Sequence, residues 1–313
     1  MTETILLTGG FGNIGSRFAS YLSSTHSGEL RLGTRNDRMP PPWSPAARVA
    51  ICDLTNIETL YQACENVKTV FHFAALNDRE CAQDPKKAHD VNVLGTENLA
   101  RAAISCGVNH IVYMSTIHVY GSPLIGNFDE SSKTDPTHPY GLTHLEAEKV
   151  LGGHAGKIRS TIIRSGNGFG CPMSPNVNIW HIIVNDLCVQ AVRFRKLELK
   201  SPSNIQRNFI TLKDICRALH FFGNVHPPQQ GTVTYNVGSM NSRTLMEMAE
   251  LVADRCDKNF SFRPVIKELL PKSEDETRLD FDCIRMRLAG FETEELFTEE
   301  IDGILQLVKK MST

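Results

Sequence analysis

The stretch TILLTGGFGNIG, residues 4–15, places a short apolar run directly before a glycine-rich loop. Thr4–Thr8 predicts a buried strand, and residues 14–24 predict a helix because Ile14, Phe18 and Leu22 recur four apart on one face. A strand, a glycine loop and a helix in this order are typical of a dinucleotide-binding unit. We therefore expect a dinucleotide at the loop, and a purely structural turn is the alternative.

Each glycine of the loop at residues 9–15 has an expected structural role. Gly9 allows the tight turn, Gly12 lets the backbone approach a pyrophosphate, and Gly15 lets helix and strand pack closely. The phosphates would rest on the free N–H groups at the positive end of the helix dipole, where Asn13 and Ile14 stand.

Strand and helix patterns then alternate through the first half, which indicates a Rossmann-type, doubly wound parallel sheet covered on both faces. We expect residues 1–166, with 207–238 returning, to form an NAD(P)-binding domain. Residues 167–206 and 239–313 should form a smaller, mostly helical substrate-binding part. The sequence predicts further strands at residues 29–33, 48–51, 69–73, 110–114, 158–163 and 232–237, and helices at 90–106, 140–151, 177–190, 213–222 and 245–256.

Composition narrows the class of protein. The chain has 313 residues and a net charge of −2, so no global field favours nucleic acid or an anionic membrane. Nine scattered cysteines without a C-x-x-C pair argue against a disulfide framework and a zinc site. The acidic first residues do not resemble a signal peptide, and no apolar run is long enough to span a membrane. We expect a cytoplasmic protein without a metal.

The end of the second strand bears on the choice of cofactor. Gly33-Thr34-Arg35 offers no acid for the adenosine ribose, and Arg35 could bind a 2′-phosphate instead. That favours NADP slightly, whereas a solvated Arg35 leaves NAD equally open. Asp53, before Leu54, either accepts from the adenine amino group or caps the following helix.

A hydroxyl and a phenol follow the fifth strand. Thr116 stands at the carboxyl edge of the predicted sheet, and Tyr140 opens a later helix. A tyrosine can pass a proton to or from a carbinol oxygen, while Thr116 orients it and a nicotinamide takes the hydride. A free phenol has a pKa near 10, so this chemistry usually needs a nearby cation.

These motifs together resemble the extended short-chain dehydrogenases/reductases of the NAD-dependent epimerase/dehydratase family, the relatives of UDP-galactose 4-epimerase. The resemblance implies an NAD- or NADP-dependent enzyme, commonly a homodimer paired through two long helices, here those at 90–106 and 140–151. It implies that Ala74 lies along the cofactor, that Asn92 supports the site, and that Asn167, Asn178 and Arg207 hold a nucleotide-sugar diphosphate. For Arg207 a surface salt bridge is the alternative. The matching segments are Thr8–Gly15, Asp53-Leu54, 71–75, 92–96, 115–116, 119–121, 140–143, 164–170, 207–210, Asp214 and 235–238.

Two positions depart from that family pattern. The family's Tyr-x-x-x-Lys is Tyr140-Gly-Leu-Thr-His144 here, and histidine is shorter and mostly neutral at pH 7. Either His144 does the lysine's work when protonated or through a water, or the enzyme is slow, or the site is degenerate; we favour a working, unusual enzyme. The acidic pair of the 4,6-dehydratases is Ile117-His118, which disfavours dehydration by that route. His118 is either a second acid/base at the substrate or a packed histidine.

Three functions therefore stay open. The first is a nucleotide-sugar epimerase or 4-keto reductase, and the second is an NADP-dependent reductase of a small non-nucleotide carbonyl. The third is a catalytically weakened protein that binds NAD(P) without transferring hydride.

Overall fold

Parallel strands separated by helices make up the first half of the computed structural model, which describes residues 3–275 and 277–312. The strands are β1 (Thr4–Thr8), β2 (Leu30–Thr34), β3 (Arg48–Ile51), β4 (Val67–His72), β5 (His110–Thr116), β6 (Gly126–Phe128), β7 (Arg159–Ser165), β8 (Asn167–Phe169), β9 (Lys196–Leu199), β10 (Gln206–Arg207), β11 (Phe209–Thr211), β12 (Thr232–Val237), β13 (Arg243–Thr244), β14 (Val265–Glu268) and β15 (Leu279–Phe281).

Helices alternate with these strands. They are α1 (Asn13–Thr25), α2 (Ile57–Cys64), α3 (Asp78–Gln83), α4 (Pro85–Ala88), α5 (Gly95–Ser105), α6 (Pro139–Gly153), α7 (Ile183–Phe194), α8 (Leu212–His220), α9 (Leu245–Phe260), α10 (Ile284–Leu288) and α11 (Phe297–Ser312), with π-helices at His89–Leu94 and Phe221–Val225 and a 3₁₀ turn at Ile117–Tyr120.

The central sheet has seven strands in the order β12-β7-β5-β4-β1-β2-β3. The chain starts in the middle at β1, winds outward through β2 and β3, returns to β4, and continues outward on the other side. The pairings from β3 to β7 are parallel. This confirms the expected doubly wound α/β fold, in which ligands bind beyond the carboxyl ends of the strands.

Apolar side chains on the strands explain why helices cover the sheet. On one face, Leu6, Val70 and Ile111 are fully buried in a cluster that includes alanines of α5 and Leu151 of α6. The small alanines of α5 let this helix lie close to its neighbours. On α1, the ring of Phe18 lies 4.6 Å from that of Phe71 on β4. Burial of this kind, at about 25 cal/mol per Å² of apolar surface, is the main stabilising term.

The chain divides into two units by its contacts. Among the described residues, the first takes in 3–122, 132–165 and 216–236, and the second takes in 123–131, 166–215, 237–275 and 277–312. The sequence-based division placed 123–131 and 207–215 in the first part. That division also included residues 1, 2, 276 and 313, which lie outside the described residues.

The second unit has its own core, formed mainly by helices. Residues of α7, α9 and α11 meet around Phe169, whose ring lies 5.1 Å from that of Phe297. The mostly helical character expected from the sequence is present, although short strand pairs such as β8 with β11 and β9 with β14 were not predicted. The sequence analysis also missed α11, although Ile301, Ile304, Leu305 and Val308 recur at helical spacing.

The predicted strands lie within two residues of their expected ends, but two predicted helices are wrong in part. The helix predicted at 177–190 begins only at Ile183, because turns run through the preceding residues and the Trp180 indole donates to the Pro175 carbonyl, 3.0 Å away. The helix predicted at 90–106 is a π-helical segment followed by α5. That interruption bears on the site, since π-helical turns frequently occur at functional positions.

Two further features are the polarity of the helices and the state of the cysteines. In the described part of the chain, no helix combines the length and the low polarity that a membrane span requires. The nine cysteines are all free thiols.

Candidate active site

The glycine loop after β1 makes a tight turn in which its own residues approach each other closely. Gly9 has a φ of +65°, a left-handed conformation that favours glycine. A Cβ at Gly15 would lie 2.3 Å from the Gly9 carbonyl oxygen, so Gly15 allows the loop itself to close as well as the helix to pack. Any side chain at position 15 would therefore force the loop open.

The loop leads directly into α1 and presents its N-terminus. The first-turn N–H groups of a helix have no partner within the helix, and α1 carries no acidic residue in this turn. The Asn13 side-chain oxygen is buried and has no hydrogen-bond partner among the described residues, while Ile14 is only partly buried. An anion with a hydroxyl nearby, such as a dinucleotide pyrophosphate, fits this arrangement.

A buried histidine ties the loop to the next strand. The Thr8 hydroxyl accepts from the N–H groups of Phe73 and Ala74, at 3.1 and 3.2 Å, and therefore donates to His72 Nδ1 at 2.7 Å. His72 Nε2 donates to the Thr96 hydroxyl at 3.0 Å, since that hydroxyl donates to the Asn92 carbonyl. Burial, with a smaller electrostatic contribution from His144, lowers the pKa of His72 to about 3, so this linker is neutral.

The chain of hydrogen bonds continues from Asn92 to the helix that carries the tyrosine. The Asn92 amide oxygen accepts from the Leu76 N–H at 2.8 Å. Its amide nitrogen donates to Thr143 Oγ1 at 3.1 Å, and this hydroxyl donates to the Tyr140 carbonyl at 3.2 Å. The π-helical turn at residues 89–94 presents Asn92 to both neighbours. Asn92 and Ala74, two residues assigned to the site by resemblance, are thus joined to the loop and to α6.

A buried ion pair fixes the strand end that carries Thr116. Arg164 on β7 binds both carboxylate oxygens of Glu148 on α6, with a shortest distance of 2.7 Å. The same carboxylate accepts from Ser115 at 2.5 Å, one residue before Thr116. Burial alone would lower the pKa of Arg164, but its bonds to Glu148 raise it, so the pair stays charged. Removing either partner of such a pair costs about 3–5 kcal/mol.

Thr116 and Tyr140 meet at this edge of the sheet. Thr116 is buried at the end of β5, where its hydroxyl accepts from the His118 N–H at 3.2 Å. Tyr140 keeps some exposure at the start of α6. Burial of its phenol raises the pKa of Tyr140 to about 12, and the hydrogen-bonding side chain of Thr116 lowers it only in part. Tyr140 is therefore a phenol at neutral pH.

His144 lies below Tyr140 on the same helix and is only 3% exposed. Its ring stands edge-on to the Tyr140 ring, with 4.5 Å between centroids. Nδ1 lies 2.7 Å from the Tyr113 hydroxyl, while Nε2 is buried without a partner in the described structure. Burial, and then the charge of His118, lowers the pKa of His144 to about 3. The structure does not support the idea that His144 acts as a cation here.

The other predicted cofactor residues lie outside this hydrogen-bond network. Arg35 is exposed just after β2, and Leu54 is a core residue whose carbonyl accepts from Asn98 at 3.0 Å. Asp53 does not cap α2, as one alternative held, because Asn56 does so by accepting from the Glu58 N–H. Asp53 instead accepts from the Thr55 N–H and hydroxyl in a local turn.

The three predicted diphosphate residues all lie in the second unit. Asn167 donates to the Asn208 carbonyl at 3.0 Å, and Asn178 is exposed in a turn. Arg207 on β10 pairs with Arg243 on β13, so two arginines stand side by side on neighbouring strands. The ion pairs between described residues include neither of these arginines, and the roles predicted for Arg207 stay predictions. Burial lowers the pKa of Arg207.

Sequence reasoning missed the residues that join the site together: Thr8 as a linker, His72, Thr96, Tyr113 and Thr143. Thr8 and His72 lie inside segments that match the family pattern, but their spacing in the sequence does not predict the hydrogen bond between them. Tyr113 lies 31 residues before its partner His144, so only the fold brings them together.

Comparisons with known proteins give a consistent assignment. The model of a family described as "NAD dependent epimerase/dehydratase family" matches residues 5–238. A UDP-glucose 4-epimerase of Rhizobium leguminosarum bv. trifolii is 31% identical over 184 residues, which is 57% of this chain and 56% of the relative. A mouse dTDP-D-glucose 4,6-dehydratase is 27% identical over 236 residues, which is 74% of this chain and 61% of the relative. The matched part is thus little more than half the length of these curated relatives.

Solved structures share the fold along the whole chain. A UDP-glucose 4-epimerase from Thermotoga maritima with UDP-glucose superposes with a TM-score of 0.83 at 19% identity, covering 99% of this chain and 100% of that one. A UDP-glucose 4-epimerase from Thermus thermophilus in complex with NAD gives a TM-score of 0.80 at 22% identity, covering 98% of this chain and 99% of that one.

The neutral His144 predicts how Tyr140 titrates. In protein labelled with ¹³C at tyrosine Cζ, the Tyr140 resonance should stay at its phenol position as the pH rises through 10, the ordinary value for tyrosine. In His144→Lys, an ammonium beside the phenol favours the phenolate, so the midpoint should fall by about 1 to 3 pH units.

His144→Met is the matched control, because it replaces the imidazole at the same position without adding a charge and should leave the midpoint near that of the wild type. A wild-type Tyr140 that ionises below pH 10 would contradict this account of the site.

Proposed function

The chain belongs to the NAD dependent epimerase/dehydratase family, and from that premise we propose that it transfers hydride at a carbinol of a nucleotide-sugar, as an epimerase or a 4-keto reductase. Tyr140 serves as the acid/base, Thr116 orients the reacting oxygen, and His144 stands where relatives have lysine. The observation that carries the proposal is the Thr116–Tyr140 pair. One hydrogen-bond chain joins Tyr140 to the glycine loop, and the Glu148–Arg164 ion pair fixes the strand end that carries Thr116.

The proposed cofactor is NAD, which the family name includes. When bound, it supplies the hydride acceptor and donor. The N-terminus of α1 would hold its pyrophosphate, Gly9 and Gly15 would keep the loop closed beneath it, and the unpartnered Nε2 of His144 would meet a ribose hydroxyl. Asn13 has a buried oxygen that is still free to accept a hydrogen bond.

Proton transfer falls to Tyr140. When the carbinol is oxidised, the phenolate form of Tyr140 takes the hydroxyl proton as the hydride leaves the carbon, and Thr116 hydrogen-bonds to the same oxygen. In the reverse step the phenol returns the proton to the carbonyl oxygen. Because burial raises the pKa of Tyr140 to about 12, the phenol form dominates at neutral pH, and oxidation of the carbinol requires this phenol to lose its proton first.

The facing arginines support a diphosphate-bearing substrate. Guanidinium groups bind phosphate oxygens in a bidentate way, and Arg207 and Arg243 lie opposite each other on β10 and β13.

Ile117 also supports hydride transfer at a carbinol rather than elimination of water. It is buried and has no proton to transfer, so elimination of water by the acidic-pair route stays disfavoured.

Replacing Tyr140 by Phe tests the proposed chemistry. With NAD and UDP-glucose, UDP-galactose or dTDP-glucose, turnover measured by chromatography should fall by about 10²- to 10⁴-fold, because the reacting oxygen loses its acid/base. Thr116→Val should also lower turnover, whereas Thr116→Ser keeps the hydroxyl and should retain most of it. Unchanged turnover in Tyr140→Phe would overturn the assignment of the acid/base.

A second candidate is an NADP-dependent reductase of a small non-nucleotide carbonyl. One observation favours it: two arginines follow β2, where an acid would select NAD. Arg35 is exposed, and the Arg38 guanidinium stacks 5.1 Å above the Phe11 ring of the glycine loop. This candidate gives no role to Arg207 as a phosphate ligand.

Heating with a nucleoside diphosphate separates the two candidates. UDP or dTDP should raise the melting temperature of the NAD-loaded wild type, and Arg207→Met should lose this protection because the diphosphate loses its clamp. Arg193→Met is the control, since Arg193 is an exposed arginine of the same unit. No protection of the wild type by either nucleotide would favour the reductase of a small carbonyl.

We also propose that the protein forms a homodimer through the segment around residues 89–105 and α6. Leu94 and Leu142 are substantially exposed on these elements, which supports an apolar contact there.

A further inference from the structure

The buried pair of Tyr113 and His144 is not explained by the chemistry assigned so far. Tyr113 lies on β5, its side chain is fully buried, and its only hydrogen bond within the described structure is the 2.7 Å contact with His144 Nδ1. His144 lies on α6 and is equally buried. A phenol and an imidazole that meet in this way fix each other's proton positions.

Counting donors and acceptors decides which atom carries which proton. A neutral imidazole has one N–H group and one acceptor nitrogen. If Nδ1 carried the proton, Tyr113 would have to accept, its own O–H would be buried without an acceptor, and the lone pair of Nε2 would be buried without a donor. If Tyr113 donates to Nδ1 instead, the single unmet group is the Nε2–H. Fewer unmet buried groups make the second arrangement more stable.

We propose that Tyr113 is a positioning residue that holds His144 in its neutral Nε2–H form, so that the site offers one uncharged donor to a ribose hydroxyl of the dinucleotide. The inference rests on the proposed function for the identity of the acceptor. It adds a residue on β5 to the cofactor site and defines what position 144 supplies. That contribution is a directed hydrogen bond without the positive charge that a lysine brings.

The surroundings of His144 leave Nε2 for a ligand. Nδ1 is taken by Tyr113, and the Tyr140 ring covers one edge of the imidazole at 4.5 Å. Nε2 is a buried polar atom without a partner, and such atoms in native structures require an explanation. A bound hydroxyl that accepts from Nε2 supplies the missing partner.

The first measurement uses the protein without cofactor. In ¹⁵N-histidine-labelled wild type at neutral pH, the two ring-nitrogen resonances of His144 should show a protonated Nε2 and an unprotonated, hydrogen-bonded Nδ1. In Tyr113→Phe the Nδ1 resonance should move toward that of a free acceptor. A protonated Nδ1 in the wild type overturns the inference, even if the variant fails to fold.

The second measurement is the affinity for NADH, followed by cofactor fluorescence. Tyr113→Phe should weaken binding by roughly three- to tenfold, the loss expected when one neutral hydrogen bond is poorly aligned. In a His144→Ala background, Tyr113→Phe should have no further effect, because the phenol acts through the imidazole. If Tyr113→Phe weakens NADH binding by the same factor in the His144→Ala background as in the wild type, Tyr113 acts through packing. That result overturns the inference.

Tyr61→Phe is the matched control. It removes one phenol hydroxyl from a partly buried tyrosine of the same unit and should change neither the His144 resonances nor the NADH affinity. The two failures can be told apart. A wrong proton position in the unloaded protein contradicts only the role of Tyr113, whereas the expected proton position with no binding of NADH contradicts the proposed function.

Discussion

Buried polar atoms must find partners, and in this protein one continuous chain of hydrogen bonds meets that requirement. It runs from the Thr8 hydroxyl through His72, Thr96 and Asn92 to Thr143 and the Tyr140 carbonyl. Each donor and acceptor along it has one assignment that leaves no member unmet. The glycine loop and the helix that carries Tyr140, the proposed acid/base, are therefore positioned by the same network. A single apolar substitution inside this network would disturb both.

The same need for partners explains why a histidine is suited to the buried position 144. A lysine ammonium there would need a counter-charge or exposure to water, whereas a neutral imidazole can be buried at far lower cost. Tyr113 satisfies one of its nitrogens and leaves the other for a ligand. What is lost is the charge that would favour phenolate at Tyr140. Under the proposed function, His144 keeps a hydrogen-bond donor for the cofactor but supplies no charge that would help Tyr140 to ionise.

The fold and the positions of several candidate site residues were predictable from the sequence. The glycine loop after β1 and the regular alternation of strands and helices predicted the doubly wound sheet, because period and turn residues are local signals. The positions of Thr116, Tyr140 and Asn92 followed from strand ends and family resemblance. The partners of His72 and His144 could not be predicted, since contacts between distant residues depend on packing. The helix predicted at 177–190 was wrong at its start because a side-chain contact of Trp180 outweighed apolar spacing.

Denaturing the purified protein and identifying the released nucleotide by mass tests the central claim, that this site binds NAD for hydride transfer at a carbinol of the substrate. An epimerase recycles its hydride internally and has reason to retain its cofactor, whereas a reductase must exchange it. The account predicts about one NAD(H) released per chain for an epimerase, and for a 4-keto reductase an empty protein that then binds NADH. A protein that releases no nucleotide, and that afterwards binds neither NADH nor NADPH, would contradict it.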